Sequence, residues 1–154
     1  MCVIVDADVS HKVFADPTMS EYLPLLKWII SGSGRLVVGG TNLQELWPFE
    51  RARRLIEEWI RTGKAVRLPD DQLESEKGDW QALVKSNDVH VIALARASGA
   101  RLLCTGDLIL ERDFKNTALI DRPPGKLYKI AKTHRRLLGH SGSCGIDATG
   151  VWKK

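Results

Sequence analysis

The sequence has few of the features that stabilise small secreted domains or anchor a chain in a membrane. Its three cysteines, Cys2, Cys104 and Cys144, are an odd number at wide spacing, which indicates a reduced, cytoplasmic protein rather than a disulfide scaffold. No apolar run approaches the roughly 20 residues of a membrane-spanning helix, and no basic leader precedes the apolar start. We therefore expect a cytoplasmic protein that does not contact membranes.

Charge is divided unevenly along a chain whose 154 residues suit a single globular domain. Residues 123–154 hold seven of the 23 Lys and Arg residues but one of the 19 Asp and Glu residues. Residues 1–122 are therefore slightly acidic, and Pro123, Pro124 and Gly125 mark the boundary. We predict one domain over residues 1–122 and a basic C-terminal extension over residues 123–154. A basic extension suits RNA because each phosphate contact releases counterions, although a solvated tail is the alternative interpretation.

Short apolar runs alternate with helical patterns within the predicted domain. The predicted strands are Cys2–Val5, Arg35–Val38, Ala65–Leu68, Arg101–Cys104 and Ala118–Ile120. Four helices are predicted: from Pro17 to the turn of residues 31–34, from Thr41 or Asn42 to Trp47, from Phe49 to Arg61, and from the residue after Asp88 to the residue before Gly99. This alternation predicts a three-layer α/β/α fold around a central, mostly parallel sheet.

Four carboxylates fall where such a fold brings side chains to one edge of the sheet. Asp6 ends the first predicted strand, and Asp107 follows a later one. Glu45 lies early in the helix after the second strand, and Asp88 begins a helix. Because functional groups of parallel sheets gather at the carboxyl ends of the strands, we expect all four to face one cleft. Crowded carboxylates repel one another unless a hard cation neutralises them, and Mg²⁺ or Mn²⁺ is the simplest partner. Such an ion polarises a phosphodiester and activates water.

Each acid taken alone also has a structural explanation. Asp6 could end a turn, Asp88 could cap a helix, Glu45 could lie on the surface, and Asp107 could serve its own turn. The prediction of a metal site depends on their joint placement.

Several segments together resemble a PIN domain, the nuclease fold of many prokaryotic ribonucleases, including the toxins of toxin-antitoxin pairs. They are VIVDADV, LVVGGTNLQELW, SNDVHVIALARASGARLLCTGD and the DF pair that follows. The resemblance covers about residues 1–122 and implies a metal-dependent endoribonuclease that leaves 3′-hydroxyl and 5′-phosphate ends. The catalytic, metal-binding acids that it implies are Asp6, Glu45, Asp88 and Asp107.

The same resemblance points to accessory residues around these acids. Asp8 matches a position that is usually small and polar, and Thr105 would support the site through its hydroxyl. Asp113 is a further accessory candidate, but the five residues 108–112 separate it from Asp107, whereas another acid follows closely in many members of the family.

Basic residues supply candidate contacts for RNA. They lie on the predicted helix Phe49–Arg61 and in the extension: Arg51, Arg53, Arg54, Arg135 and Arg136. An antitoxin protein and a second copy of the chain, forming a homodimer, are further candidate partners.

Two other functions remain open from the sequence. A haloacid dehalogenase-like phosphatase would use Asp6 as its nucleophile, since Asp6 and Asp8 resemble the D-x-D pattern of that class, but it leaves Glu45 and Asp88 without a role. A non-catalytic RNA- or protein-binding module is the second alternative. It does not explain the four acids, because an anion-binding surface gains nothing from clustered carboxylates.

Overall fold

The computed structural model describes residues 2–129 and 135–139, which form a parallel sheet covered by helices on both faces. This is a three-layer α/β/α fold, so the predicted fold class is confirmed. The five strands are β1 (Cys2–Val5), β2 (Arg35–Val38), β3 (Ala65–Arg67), β4 (Leu102–Cys104) and β5 (Lys126–Leu127). Their order across the sheet is β3-β2-β1-β4-β5, and every neighbouring pair is parallel.

Seven α-helices connect the strands within the described residues. They are α1 (Ala7–Val13), α2 (Leu23–Ile30), α3 (Gly40–Leu46), α4 (Glu50–Arg61), α5 (Asp70–Ser75), α6 (Val89–Ser98) and α7 (Leu108–Lys115). Two 3₁₀ segments, Asp79–Leu83 and Arg135–Gly139, complete the described structure.

The side chains of β1 alternate between two apolar layers, as the pleat of a strand requires. Val3 and Val5 pack with residues of α1, α2, α3 and α4 on one face. Cys2 and Ile4 pack with residues of α6 and α7 on the other face. All four side chains are buried, which explains why the strand is apolar without a polar alternation.

The carboxyl ends of β1 and β4 form a topological switch point. The chain leaves β1 toward β2 on one side, whereas β4 and β5 lie on the other side. Connections that diverge from two neighbouring strands leave a crevice at their carboxyl ends, and ligands of open α/β sheets bind there. Asp6 directly follows β1, and Thr105 directly follows β4.

The predicted fifth strand is wrong. Residues 118–120 form turns, and the edge strand is Lys126–Leu127, beyond the Pro-Pro-Gly sequence. A Cβ atom at Gly125 would collide with the backbone carbonyl of Phe114, so glycine is needed here for close packing against α7. The sheet therefore continues past residue 122, the boundary that the sequence indicated.

Helices α1 and α7 were not predicted, α5 lies in a polar stretch that the sequence leaves open between loop and frayed helix, and α2 begins later than expected. The unpredicted α1 buries Val9 and Val13, and α7 buries Leu110 and Phe114, in each case four residues apart. Helix α2 begins at Leu23 rather than at Pro17. A helix from Pro17 would hold Pro24 in its interior, whereas in α2 this proline lies in the first turn, where its missing N–H costs nothing.

The described residues contain no helix that is both long and apolar enough to cross a bilayer. Cys104 is a buried free thiol. Cys2 is disulfide-bonded, which differs from the expectation of reduced cysteines.

Candidate functional site

Asp6 is held at the bottom of the crevice. It is 4% exposed, and its backbone N–H donates to the carbonyl of Cys104 at 2.9 Å, which extends the pairing of β1 with β4 by one residue. Its carboxylate forms no capping bond to α1. Instead, Oδ2 accepts a hydrogen bond of 2.7 Å from Thr105 Oγ1, so the carboxylate is fixed in place.

Thr105 connects three of the acids through one hydroxyl and its neighbouring backbone. Its Oγ1 donates to Asp6 and accepts from the backbone N–H of Asp107 at 3.1 Å. The next residue, Gly106, donates its N–H to Asp8 Oδ2 at 3.0 Å. Thr105 therefore acts as a positioning residue for the acids at the ends of β1 and β4.

Asp107 caps α7 and still faces the crevice. Its Oδ1 accepts from the backbone N–H groups of Ile109 and Leu110 at 2.9 and 3.3 Å. Such a cap satisfies two of the helix's unpaired donors. The cap uses Oδ1 alone, so Asp107 can offer its second oxygen to a ligand.

Asp88, Glu45 and His90 form the opposite side of the crevice. Asp88 stands at the N-cap position of α6, but its side chain makes no capping bond. His90 Nε2 lies 3.6 Å from Glu45 Oε2 and 4.0 Å from Asp88 Oδ1. One oxygen or nitrogen from each of the three side chains lies within 4.8 Å of the others, so the three groups could hold a metal ion.

Asn42 brings Glu45 to this site. The Asn42 side chain is 1% exposed, and its Nδ2 donates to the carbonyl of Val5 at 3.0 Å. This bond fastens α3 to the end of β1, and Glu45 lies one helical turn farther along the same face. The sequence indicated a helix beginning at Thr41 or Asn42; α3 instead begins at Gly40, and Asn42 joins the helix to the sheet.

The surroundings of Asp6 and Asp8 raise the pKa values of both carboxyl groups. Burial raises the pKa of Asp6, and the nearby charge of Asp88 raises it further. Partial burial and the charge of Asp6 raise the pKa of Asp8 to about 6, even though this side chain keeps contact with water. Both effects disfavour the ionised carboxylates in the absence of a cation.

Asp88 links the two sides of the crevice electrostatically. Burial is the largest cause that raises the pKa of Asp88, and the charges of Asp107 and Glu45 also raise it, against an opposing effect of His90. Since Asp88 also raises the pKa of Asp6, the acids from four separate segments belong to one cluster.

The structure brings together six of the residues that the sequence singled out. They are Asp6, Asp8, Glu45, Asp88, Thr105 and Asp107. His90 was missed by the sequence analysis. The available signal was a lone polar side chain between Val89 and Val91, at the start of an otherwise apolar helix and two residues after a candidate ligand.

Asp113 does not join the acids as a ligand. It is 3% exposed, and its carboxylate accepts from the backbone N–H groups of Lys85 at 3.1 Å and Ser86 at 2.8 Å. The Ser86 hydroxyl in turn accepts from the backbone N–H of Asp88 at 3.2 Å. The sequence predicted an accessory role for Asp113 at the metal site. In the structure, Asp113 instead supports the loop that carries Asp88.

Replacing Asp113 with alanine is expected to lower the free energy of unfolding by about 2–4 kcal/mol, because the buried N–H of Ser86 and the partly buried N–H of Lys85 lose a charged acceptor. Urea denaturation measures this change, and Asp121→Ala, at an exposed position, is the control. Unchanged stability together with lost metal binding would contradict the structural role and make Asp113 a ligand.

The arginines predicted to contact RNA differ in their surroundings. On α4, Arg51 lies 3.5 Å from Asp16, Arg54 pairs with Glu50 at 2.6 Å, and Arg53 is half-buried. Arg136 is exposed in the second 3₁₀ segment, where Arg135 is the first residue. Arg51 and Arg54 are thus already paired with carboxylates of the same chain.

A basic groove of about 900 Å³ lies between α7, β5 and the second 3₁₀ segment. We call it the α7–β5 groove, and its charged lining is Glu111, Arg112, Lys115, Lys126, Lys129 and Arg136. Lys129 pairs with Glu111 at 2.7 Å, which leaves the cations in excess. Leu108, which directly follows Asp107 in the chain, is one of the residues that line the groove.

No protein-family model, curated protein sequence or solved structure matches the chain significantly. Function has to be inferred from the chemistry of the site itself, since one α/β fold serves many unrelated activities.

Proposed function

We propose that the protein is a metal-dependent endoribonuclease of the PIN type, which hydrolyses phosphodiester bonds of RNA. The observation that carries this proposal is the convergence of five carboxylates at the carboxyl ends of β1 and β4. Burial and mutual repulsion raise the pKa of Asp6, Asp8 and Asp88. These destabilised carboxylates lie at the edge of the sheet where α/β folds bind ligands. Several acids with raised pKa values in one crevice favour a catalytic role over a structural one.

The donor groups suit a hard divalent cation. Carboxylate oxygens are the ligands that Mg²⁺ and Mn²⁺ prefer, and the residues that would hold the ion are Asp6, Glu45, Asp88 and Asp107. When bound, such an ion supplies a Lewis acid for the phosphodiester and lowers the pKa of water.

The chain's own residues position this cluster and limit its freedom. Thr105 fixes Asp6 and the backbone of Asp107, while Asn42 fixes the helix that carries Glu45. Because these contacts hold the Asp6 carboxylate and the backbones that carry Asp107 and Glu45 before substrate arrives, little backbone reorganisation is needed at the moment of reaction.

The α7–β5 groove supports RNA as the substrate. Its lining holds five basic residues and one carboxylate, and one lining residue, Leu108, directly follows Asp107 in the chain. Phosphate contacts of this kind supply affinity without reading sequence. We expect the groove to hold the RNA backbone on one side of the cleavage site.

Removing two cations from the groove should weaken RNA binding without changing the product ends. The Lys115→Ala/Lys126→Ala variant should bind single-stranded RNA more weakly, and its slope of log K against log salt should fall by about 1.4, since each phosphate contact on a single strand contributes roughly 0.7. Fluorescence anisotropy over a KCl series measures both quantities. Lys27→Ala/Arg61→Ala, on exposed positions of α2 and α4, is the control, and equal effects of the two pairs would count against the groove.

The proposed activity is tested with single-stranded RNA and purified protein in EDTA, Mg²⁺ or Mn²⁺. We expect cleavage only with the divalent ions, with 5′-phosphate and 3′-hydroxyl ends. Hydrolysis of a phosphomonoester through a phosphorylated Asp6 would instead indicate a phosphatase. RNA binding without cleavage under any of these conditions would indicate a binding module.

A further inference from the structure

The groups of the crevice divide into two sets of different chemistry. Around Thr105 and Gly106, the acids Asp6, Asp8 and Asp107 offer oxygen alone. On the opposite side, between α3 and α6, Glu45, Asp88 and His90 offer two carboxylates and one imidazole nitrogen within 4.8 Å of one another. The second set is therefore a mixed oxygen and nitrogen donor set.

The imidazole nitrogen of His90 lacks the partner that a buried polar atom needs. The His90 side chain is 19% exposed, and its Nε2 atom is buried with no hydrogen-bond partner among the described residues. Its distances of 3.6 Å to Glu45 and 4.0 Å to Asp88 are too long for hydrogen bonds. Buried polar atoms are nearly always satisfied in folded proteins, so this nitrogen points to a missing ligand between the three side chains.

We propose that Glu45, Asp88 and His90 form a cation subsite that favours Mn²⁺ and similar first-row transition ions over Mg²⁺. This inference rests on the proposed function, because it concerns the same acidic cluster, and it deepens that function by naming the metal class. Imidazole suits transition ions, whereas Mg²⁺ prefers an all-oxygen shell. His90 thereby sets the metal preference of one side of the crevice.

The separations within this subsite fit one small ion. Ligands that surround an octahedral ion at about 2.1 Å lie roughly 3–4 Å from one another. The 3.6 Å and 4.0 Å separations from His90 fall in that range. All three donor atoms lie within 4.8 Å of one another, so rotation of these side chains suffices to place them around a common ion.

Metal titration of the full chain tests the subsite. Isothermal titration calorimetry on metal-free protein should give an affinity for Mn²⁺ about tenfold or more above that for Mg²⁺. His90→Gln should lose about 10- to 100-fold in Mn²⁺ affinity, while its Mg²⁺ affinity changes less than threefold. His11→Gln, at an exposed position of α1, is the matched control and should behave like the wild type.

Pulsed electron paramagnetic resonance on the Mn²⁺-loaded protein gives an independent readout. The wild type should show coupling of the ion to a ¹⁴N nucleus, and His90→Gln should lose it while His11→Gln keeps it. If His90→Gln does not fold, as judged by circular dichroism, the wild-type spectrum still distinguishes nitrogen from all-oxygen coordination. A wild-type spectrum without ¹⁴N coupling, or unchanged Mn²⁺ affinity in a folded His90→Gln variant, would overturn the proposal.

Failure of this inference and failure of the proposed function give different results. If the protein cleaves RNA but its bound Mn²⁺ shows no ¹⁴N coupling, the proposed nuclease function stands and His90 is not a metal ligand. If bound Mn²⁺ shows ¹⁴N coupling but the protein cleaves no RNA, the subsite stands and the proposed nuclease function is wrong.

Discussion

Replacing Asp6 with asparagine is expected to remove nearly all RNA cleavage, while the protein unfolds at the same or a higher temperature. The loss should be about 10²–10³-fold in rate, because a charged ligand of the proposed metal contributes several kcal/mol to transition-state stabilisation. Stability should not fall, since asparagine can still accept the hydrogen bond from Thr105. The substitution also removes a buried carboxyl group whose pKa is raised by burial and by the charge of Asp88.

The two readouts together distinguish a catalytic acid from a structural one. Cleavage rates and thermal unfolding are measured on Asp6→Asn and on Asp121→Asn, a control at an exposed position. The control should retain both activity and stability. An Asp6→Asn variant that is inactive because it no longer folds would show that Asp6 serves the structure, and full activity would remove it from the site.

The metal-free protein is expected to be more stable near pH 5 than near pH 7.5. A carboxyl group whose pKa is higher in the folded than in the unfolded protein holds its proton more tightly when folded. Its stabilising contribution is therefore present at low pH and is lost as the pH rises through the folded-state pKa. Burial and Asp6 raise the pKa of Asp8 from 3.8 to about 6, and the pKa values of Asp6 and Asp88 are raised as well. Most of the loss should fall between about pH 4 and pH 7.

Divalent metal should reverse this dependence. Mn²⁺ at about 100 times its Kd should add about 2.7 kcal/mol at pH 7.5, or roughly 5–10 °C in the melting temperature of a chain of this size. At pH 5, protons compete for the same oxygens, so the increase should be smaller. Differential scanning fluorimetry at both pH values, with EDTA or Mn²⁺, measures all four conditions.

Asp8→Asn is the variant that connects this pH dependence to the cluster. It should flatten the pH profile of the metal-free protein, because the group with the pKa near 6 is gone. A wild-type protein whose stability rises steadily from pH 5 to pH 7.5 without metal would contradict the effect that we assign to the raised carboxyl pKa values.

The parts of the fold that the sequence predicted are those determined by local pattern. β1 and β2 are mainly apolar runs with sharp ends, and α6 ends at Ser98, just before Gly99, which adopts the left-handed conformation that glycine favours. Helices α1 and α7 are short, with seven and eight residues, so each shows too few turns for a periodic signal. β5 has two residues, and its place depends on packing against α7 rather than on strand propensity.

The same distinction holds for the candidate site. Asp6 and Asp107 could be located because strand ends place them at one edge of a parallel sheet. Glu45 reaches the cluster because a side-chain hydrogen bond joins Asn42 to Val5 across 37 residues, and no local pattern reveals such a bond. His90 faces Glu45 only because α3 packs against α6, which is a tertiary contact.

Crystals soaked in Mn²⁺ test the central claim most directly, because anomalous scattering locates the ion without reference to any activity. We predict a peak within direct coordination distance of carboxylate oxygens from Asp6, Glu45, Asp88 or Asp107, and its disappearance when Asp6 and Asp88 are both replaced by asparagine. Saturating Mn²⁺ that gives no peak in this crevice would contradict the claim that a divalent cation binds among these acids.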